Sequence, residues 1–315
     1  MNTPDNTGSI GGLGIHERSH NRLYHNNEIP TEDISQIHEG VTQLQAMAWD
    51  IPNISRIVLR GIMGQRAFDQ LVNSGLGHDL EVLASLSGHG HPGQYLYSVA
   101  RNQPHRRTHV PVAEMIAQTN QPLPVRDQQH DIPPSETLPN AGDVDGILTL
   151  WGSTFKWTKE STETFIRDLQ QNAIMSPAER TLWFSGQRCT DGQLVSAAMA
   201  ERLDMPTFTG HIALIESTEW RTHPDYLRRG LMAQTLRDMN GNIQQDLVGQ
   251  YPFIFAECNF QTRADIAGRL AGFFVPDRNI GTQTIRQNVV VEDGTNLPSN
   301  ILRDFTFVNV PGRAI

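Results

Sequence analysis

Residues 222–240 read THPDYLRRGLMAQTLRDMN. A proline, a tyrosine, two arginines and a glycine stand directly before a segment that predicts a helix over 230–247. Amides at a helix N-terminus lack partners and carry the positive end of the helix dipole. A glycine there lets a ligand approach the backbone closely. The stretch therefore predicts an anion-binding turn, with a merely solvated basic turn as the alternative.

The segments around this turn alternate between strand-like and helix-like patterns. The turn CTDG joins two of them into a predicted hairpin. The predicted strands are GILTLW (146–151), RTLWFSGQ (180–187), QLVSAAMAERL (193–203), GHIALIESTEW (210–220), PFIFAEC (252–258), NVVVED (288–293) and RDFTFVNV (303–310). The predicted helices are KESTETFIRDLQQN (159–172), GLMAQTLRDMNGNIQQDL (230–247) and TRADIAGRLAGF (262–273). We therefore expect a mixed α/β domain.

The part of the chain before this domain has a different composition. Residues 120–142 hold five prolines and predict a linker. Residues 1–30 are rich in Asn, Gly, Thr and His and predict a disordered arm. Residues 31–119 read as a helical region of unknown role. Its predicted helices lie at 31–49, 54–75 and 78–88. We expect residues 143–315 to fold without the part that precedes them.

The overall composition limits the compartment and the partners. The 315 residues carry a net charge of −9, which argues against a nucleic-acid partner. No apolar run approaches the roughly 18 residues that span a bilayer, and the N-terminus lacks the pattern of a signal peptide. The two cysteines, Cys189 and Cys258, exclude a disulfide framework. We expect a cytoplasmic protein without a membrane partner.

A metal site is one interpretation of SGHGHPG (87–93), where His89 and His91 stand two residues apart. No carboxylate or third histidine lies at a fixed spacing from them, as a typical protein metal site would need. The sequence favours a polar turn, and we expect no metal.

The basic turn resembles the acyl-CoA loop of the GNAT superfamily of N-acetyltransferases. In that family a long fourth strand leads through a Pro-x-Tyr/His segment into a basic, glycine-bearing loop, as in HPDYLRRGLMAQTL (223–236). PFIFAECN (252–259) resembles the family's fifth strand with its Asn, and RLAGF (269–273) its Leu-Gly-Phe ending. The resemblance covers roughly residues 145–310. It implies an α/β (α+β) fold with a mixed, mostly antiparallel central sheet flanked by helices, preceded here by a partly helical region with a disordered arm.

The resemblance also implies an activity. An N-acetyltransferase of this family would use acetyl-CoA as co-substrate and let a primary amine, of a small molecule or a protein, attack the thioester directly. The acidic net charge favours a cationic acceptor. A non-catalytic GNAT-like module that binds an acyl-CoA or a partner protein is the alternative. Gly268 stands where many family members carry a tyrosine that acts as general acid, so the acid is missing or supplied elsewhere.

The site residues follow from the same resemblance. Residues implied to bind acetyl-CoA are Trp220, Arg221, Thr222, Arg228, Arg229, Gly230, Leu231, Met232, Ala233 and Asn259. For the general base Glu216 and Glu219 compete, and the spacing of a glutamate in some GNAT enzymes selects Glu216. Strand alternation would place Glu216 on the face of Trp220 and Glu219 on the opposite face. The alternative for Glu216 is an ion pair with an arginine, or exposure to solvent.

Overall fold

Two large β-sheets with their helices, and one two-stranded sheet, make up the described part of the structure, a computed structural model. It describes residues 9–10, 13–16, 22–49, 56–74, 80–102, 135–155, 157–250, 252–259, 264–273, 279–280, 283–284 and 304–309. We call the described residues of 9–102 the N-terminal unit and those of 135–309 the C-terminal unit. The expected α/β class, with mostly antiparallel sheets flanked by helices, is confirmed.

The described elements are as follows. The strands are β1 Ser9–Ile10, β2 Leu13–His16, β3 Arg22–Asn26, β4 Arg56–Gly64, β5 Leu80–Ser85, β6 Gln94–Asn102, β7 Leu182–Arg188, β8 Leu194–Thr207, β9 Gly210–Thr222, β10 Phe253–Asn259, β11 Asn279–Ile280, β12 Gln283–Thr284 and β13 Asp304–Asn309. The helices are α1 Ile34–Trp49, α2 Gln65–Ser74, α3 Val144–Ile147, α4 Ser153–Phe155, α5 Lys159–Ala173, α6 Leu231–Asp246 and α7 Ala264–Leu270. Among the helices of these residues, none is long and apolar enough to span a bilayer.

Five strands of each unit share one topology, to which the N-terminal sheet adds β5 beyond β6. In the C-terminal unit β7, β8 and β9 are antiparallel, α6 crosses over to β10, which runs parallel to β9, and β13 pairs with the far edge of β10. In the N-terminal unit β1, β2 and β3 are antiparallel, α1 crosses over to β4, parallel to β3, and β6 pairs with the far edge of β4. The crossover helices α1 and α6 both have 16 residues. The chain therefore contains an internal structural repeat that its sequence does not reveal.

The helices of each unit leave part of one face of their own sheet uncovered. The sheet of the other unit packs against that face. The crossover helix of each unit packs on one face of its own sheet, and α5 with the segment around α3 covers β7 and part of β8. The rest of that second face meets the N-terminal sheet in one apolar cluster. Its fully buried members are Ile62, Leu86, Leu96, Met205, Ile212, Leu214, Phe253 and Phe255. The two units therefore share a core.

The N-terminal region is less helical than the sequence predicts. The helix at 31–49 is confirmed as α1, but 54–75 divides into β4 and α2, and 78–88 contains β5 and a 3₁₀ turn at Ser87–His89. The reason is burial on both faces. Every residue over 57–64 is buried, so the apolar run is continuous and its period does not distinguish strand from helix. Within the expected disordered arm, the described residues of β1, β2 and β3 form paired strands.

The segment GILTLW, predicted as a strand, is helical instead. Asn140 starts the segment, because its Oδ1 accepts a hydrogen bond from the amide of Gly142 (2.8 Å) while its own amide donates to Asp143 (2.7 Å). Ile147, Leu150 and Trp151 are buried at helical spacing. A short apolar run has this ambiguity, and here the cap decides it.

The boundary of the C-terminal unit lies earlier than the predicted residue 143. Residues 120–134 of the predicted linker lie outside the described residues, but 135–142 belong to this unit. Glu136 forms a backbone bridge with Gly186 of β7 and an ion pair with Arg188 (2.8 Å). The amide of Ser135 donates to Asp238 of α6 (3.1 Å). The other predicted elements of the C-terminal part are confirmed, except 288–293, which lies outside the described residues.

Candidate functional site

The basic turn leads into α6 as the sequence predicts. Gly230 stands at the N-cap with φ 77°, a left-handed conformation that costs glycine little, and no side chain caps the helix. The first intrahelical bond runs from the amide of Gln234 to the carbonyl of Gly230 (3.1 Å). The amides of Leu231, Met232 and Ala233 precede it and have no helical partner. The start of α6 therefore presents donors and the positive end of its dipole.

Strands β9 and β10 separate in front of this helix end. They pair only from Phe253↔Leu214 to Phe255↔Glu216, although β9 continues to Thr222 and β10 to Asn259. Over 217–222 β9 keeps β8 on one side. We call the space between residues 217–222 and 256–259 the cleft. Its β9 edge offers backbone groups that β10 does not take up.

A β-bulge lies on the cleft-forming part of β9. Met199 is opposite Thr218 and Ala197 is opposite Arg221, so β9 has one residue more than β8 over this interval. Glu219 lies in the bulge and is buried. Its backbone φ of 57° is uncommon for a residue other than glycine. Bulges re-aim side chains and are common beside active sites.

The bulge corrects the predicted distribution of side chains over the two faces. The indole of Trp220 donates to Ser217 Oγ (2.8 Å) and packs on Phe273, with the ring centroids 5.5 Å apart. Trp220 thus lies on the face covered by α6 and α7. Glu216 lies on the other face, towards the N-terminal sheet. The prediction that they share a face is wrong, because the extra residue breaks the alternation.

Glu216 is held by an arginine of the N-terminal unit. Nη1 of Arg60 donates to Glu216 Oε2 (3.1 Å), and the guanidinium carbon lies 4.8 Å from the centroid of the Phe255 ring. The arginine pairing that the sequence left open for Glu216 is therefore present. The Arg60 side chain is 2% exposed and that of Glu216 is 22% exposed. The pair lies at the point where β9 and β10 separate.

Trp220 occupies the space next to the position of the missing tyrosine. A Cβ atom added to Gly268 of α7 would lie 3.2 Å and 3.3 Å from two carbons of the Trp220 ring. Such contacts are tighter than ordinary packing, so the ring and a side chain at position 268 compete for the same volume. The departure from the family pattern at Gly268 is therefore accompanied by a large ring on the neighbouring strand.

The turn before α6 is held together by its own side chains. Pro224–Tyr226 form a 3₁₀ turn, and the Arg229 guanidinium lies 4.9 Å from the centroid of the Tyr226 ring while donating to the carbonyl of Asp225 (3.2 Å). The pKa of Tyr226 lies above its ordinary value, mainly because its phenol is hydrogen-bonded with the Cys189 thiol, whereas Arg229 acts in the opposite direction. Tyr226 therefore stays neutral at physiological pH.

The other residues assigned to acetyl-CoA lie around the same turn. Thr222 ends β9 and its hydroxyl lies 3.3 Å from Ser196 Oγ, which in turn lies 3.0 Å from the hydroxyl of Thr235 in α6. Met232 packs against the apolar cluster beneath α6.

Arg221 is half-buried and Arg228 is exposed with φ 64°. Asn259 ends β10 opposite Asp304, and its side chain lies outside the described residues. Except for that side chain, the structure brings the assigned residues to one end of β9.

His89 and His91 lie far from this turn, at the contact between the units. His89 is buried with its ring edge-on to Phe253 at 5.6 Å, and Nδ1 of His91 lies 2.9 Å from the hydroxyl of Thr209. Within the part of the chain that the structure describes, no three His, Cys, Asp or Glu side chains are grouped as metal ligands.

Sequence reasoning did not find Arg60. The signal was present, since Arg60 is the one charged residue inside the apolar run IVLRGIMG (57–64). A charged side chain in a doubly buried strand requires a partner. Reading the run as part of a predicted helix over 54–75 removed the reason to look for one.

Comparisons with known proteins give distant similarities. No family model matches the chain, and no curated protein matches it. Among solved structures it is similar to a GNAT-family acetyltransferase from Streptococcus pneumoniae (13% identity, 56% of this chain and 99% of that one, TM-score 0.34). It is also similar to glucosamine-6-phosphate N-acetyltransferase from Arabidopsis thaliana (10%, 42% and 88%, TM-score 0.34).

A third similarity is to a conserved protein of unknown function from Enterococcus faecalis V583, described as a probable N-acyltransferase (13% identity, 44% of this chain, TM-score 0.32). The chain spans 31% of the length of that protein. Similarities of this extent carry no inference about activity, and the interpretation rests on geometry.

That geometry agrees with the family pattern in three respects. The strand order is β7-β8-β9-β10-β13, the parallel pair is joined through α6, and β9 separates from β10 at a bulge in front of an uncapped, glycine-started helix. The C-terminal unit, residues 135–309, has a GNAT-like fold.

Proposed function

We propose that the C-terminal unit is an acetyl-CoA-dependent N-acetyltransferase that transfers an acetyl group to a primary amine of a small molecule or a protein. The observation that supports this proposal most directly is the cleft. Its open β9 edge and the uncapped start of α6 are neighbours, because β9 leads into α6 through a single short turn. An elongated ligand with amides at one end and a pyrophosphate at the other fits such an arrangement.

The residues present suit acetyl-CoA as a substrate. The pantetheine amides would pair with the open backbone of β9 between Trp220 and Thr222, as an added strand does. The pyrophosphate would accept hydrogen bonds from the amides of Leu231, Met232 and Ala233, and Arg228 and Arg229 add positive charge at the mouth. The Met232 side chain packs against the cluster beneath α6, away from the position proposed for the pyrophosphate.

The chemistry needs a base and an oxyanion donor. The amine nitrogen attacks the thioester carbonyl carbon, the carbon–sulfur bond breaks, and the coenzyme leaves as a thiolate that takes a proton from solvent. A backbone amide at the bulge around Glu219 would stabilise the oxyanion. Glu216 Oε1 would accept the amine proton, directly or through a water molecule, while Oε2 stays bound to Arg60. The net charge of −9 favours a cationic acceptor.

One specific pair of observations favours the alternative, a non-catalytic module that binds an acyl-CoA. Glu216 is already engaged by Arg60, and the Trp220 ring lies against Gly268, where the family's tyrosine would stand. A unit with these features could retain the ligand and lose the reaction.

The test combines binding and turnover on the full chain. Calorimetry with acetyl-CoA should give one site per chain, and thiol release should appear when an amine panel of polyamines, aminoglycosides and lysine peptides is added. Binding without thiol release for any amine would support the non-catalytic alternative. Absence of binding would contradict both functions.

A further inference from the structure

We infer that Arg60 is a positioning residue for Glu216, so that the N-terminal unit completes the active site of the C-terminal unit. The inference deepens the proposed function and rests on it. It starts from the place of the ion pair. Glu216 is the last residue of β9 that pairs with β10, at Phe255. Arg60 reaches this point from β4 of the other sheet and donates to Glu216 Oε2 at 3.1 Å.

The two partners differ in exposure in the way that this role requires. The Arg60 side chain is 2% exposed, enclosed between the sheets with its guanidinium over Phe255 at 4.8 Å. The Glu216 side chain is 22% exposed. Among the described residues, the side chain of Glu216 forms a hydrogen bond through Oε2 with Arg60. The cation is thus fixed by the protein, and the carboxylate that it holds stays partly accessible to solvent.

Stability alone does not account for a cation at this place. The surrounding wall is apolar, with Ile62, Leu214, Phe253 and Phe255 all buried in one cluster. Replacing a buried ion pair by apolar side chains of similar volume is often neutral or stabilising. A methionine at position 60 and a neutral residue at 216 would therefore fill the site equally well. What the arginine adds is a fixed direction for the carboxylate.

A fixed direction matters for a base on a long side chain. A glutamate samples many rotamers, and a general base is effective only within hydrogen-bond reach of the proton that it accepts. Binding of Oε2 by a guanidinium that is itself fixed over an aromatic ring restricts the carboxylate to one orientation. Loss of this restraint should reduce kcat while binding of acetyl-CoA, at the other end of β9, is preserved.

The experiment is a double-mutant cycle on kcat with the best amine of the panel. Arg60→Met should lower kcat about tenfold or more, since misplacement by about 1 Å is that costly, with the KM for acetyl-CoA within about twofold. The double variant Arg60→Met/Glu216→Gln should be no slower than Glu216→Gln alone, because Arg60 acts through Glu216. Arg60→Lys, which retains a buried cation if Arg60→Met does not fold, should recover part of the rate.

The matched control removes a different contact between the same two sheets. Gln94 donates to Thr209 (3.3 Å) and accepts from the amide of Phe208 (3.0 Å), away from the cleft. Gln94→Leu should lower the melting temperature and leave kcat unchanged. Losses that multiply in the double variant, or an equal kcat loss in Gln94→Leu, would overturn the role of Arg60. Full activity of Glu216→Gln would overturn it while acetyl transfer stands, and an inactive wild type would overturn both.

Discussion

The two units share the order and directions of five strands and differ at the edge of the strand that precedes the crossover helix. In the C-terminal unit β9 leaves β10 at Glu216, which opens the cleft. In the N-terminal unit the chain stays on β4 after β3 ends, because Asn27 donates to the carbonyl of Arg60 (2.7 Å) and Thr31 to that of Ile62 (2.9 Å). The space that corresponds to the cleft is closed by the chain's own backbone.

The starts of the two crossover helices differ in the same sense. At α1 the amide of Ser35 is bound by Asp33 (2.9 Å) and that of Ile34 by Gln70 (3.0 Å). Hydrogen bonds with the amide and then the side chain of Ser35 hold the pKa of Asp33 below its ordinary value, so this carboxylate is ionised at neutral pH. At α6 Gly230 provides no cap. The shared fold therefore does not by itself provide a candidate site. The open edge of β9 and the uncapped start of α6 do.

The largest expected effect comes from removing the N-terminal unit. A chain that starts at residue 135 exposes Ile212, Leu214, Phe253 and Phe255, which are at most 3% exposed in the structure. Burial of each such side chain contributes roughly 1.5–3 kcal/mol, which together approaches the whole stability of a domain. We expect the fragment to show no cooperative thermal transition by circular dichroism.

The full chain is the control and should melt cooperatively. A soluble fragment with its own sharp transition would contradict the shared core and restore the independent domain that the sequence predicts over 143–315.

The next effect concerns the base. Glu216→Gln should lower kcat by roughly 10²- to 10⁴-fold, the usual contribution of a general base. Acetyl-CoA affinity, measured by calorimetry, should persist. Glu219→Gln is the matched control on the same strand. A large loss in Glu219→Gln with none in Glu216→Gln would move the base to the bulge.

A smaller effect is expected at the start of α6. Gly230 has φ 77°, which valine adopts only with strain of about 1–3 kcal/mol. Gly230→Val should therefore distort the turn and weaken acetyl-CoA binding by about 10- to 100-fold. The matched control is Gly249→Val beyond the other end of α6, where φ is 83°. Equal affinity in the two variants would exclude the start of α6 as the pyrophosphate site.

Tyr97 tests whether the space in the N-terminal unit that corresponds to the cleft stays closed. Its hydroxyl accepts from Asn27 (2.6 Å) under complete burial, and burial raises its pKa well above the ordinary 10.0. The unfolded tyrosine ionises near pH 10 and the folded one does not. The free energy of unfolding should therefore be unaffected by this group below pH 10 and fall by about 1.4 kcal/mol per pH unit above it.

Tyr97→Phe should remove that part of the slope. The measurement is urea unfolding between pH 9 and 11 for both proteins. If the free energy of unfolding of the two proteins had the same pH dependence, Tyr97 would be accessible to solvent and the corresponding space in the N-terminal unit would be open.

The smallest effect is expected for Arg228. Its exposed guanidinium contributes to anion binding only through space, roughly 0.5–1 kcal/mol or a few-fold in affinity. Arg228→Ala should show this loss at low ionic strength and lose it near 1 M salt, where the screening length is about 3 Å. Arg167→Ala, which removes an exposed side chain of α5, should leave acetyl-CoA affinity unchanged at low and at high ionic strength. A loss that persists in high salt would indicate a direct, desolvated contact.

The sequence predicted the C-terminal sheet far better than the N-terminal one. The strands around the loop have clear turns and periods, and the loop motif located the start of α6. The run around Arg60 failed because burial on both faces removes the period. The faces of β9 failed because a bulge leaves no mark in the residue pattern, and the closed edge at Asn27 depends on backbone bonds that any residue could form.

The contact between Trp220 and Gly268 has a consequence for how this site can change. A tyrosine at 268 presses on the Trp220 ring from its first side-chain atom onward, so the substitution alone is unfavourable. A smaller residue at 220 alone leaves a void against Phe273. The effects of substitutions at the two positions are therefore not additive. Restoring the family's acid needs both replacements, and we expect either one alone to lower the stability of the protein.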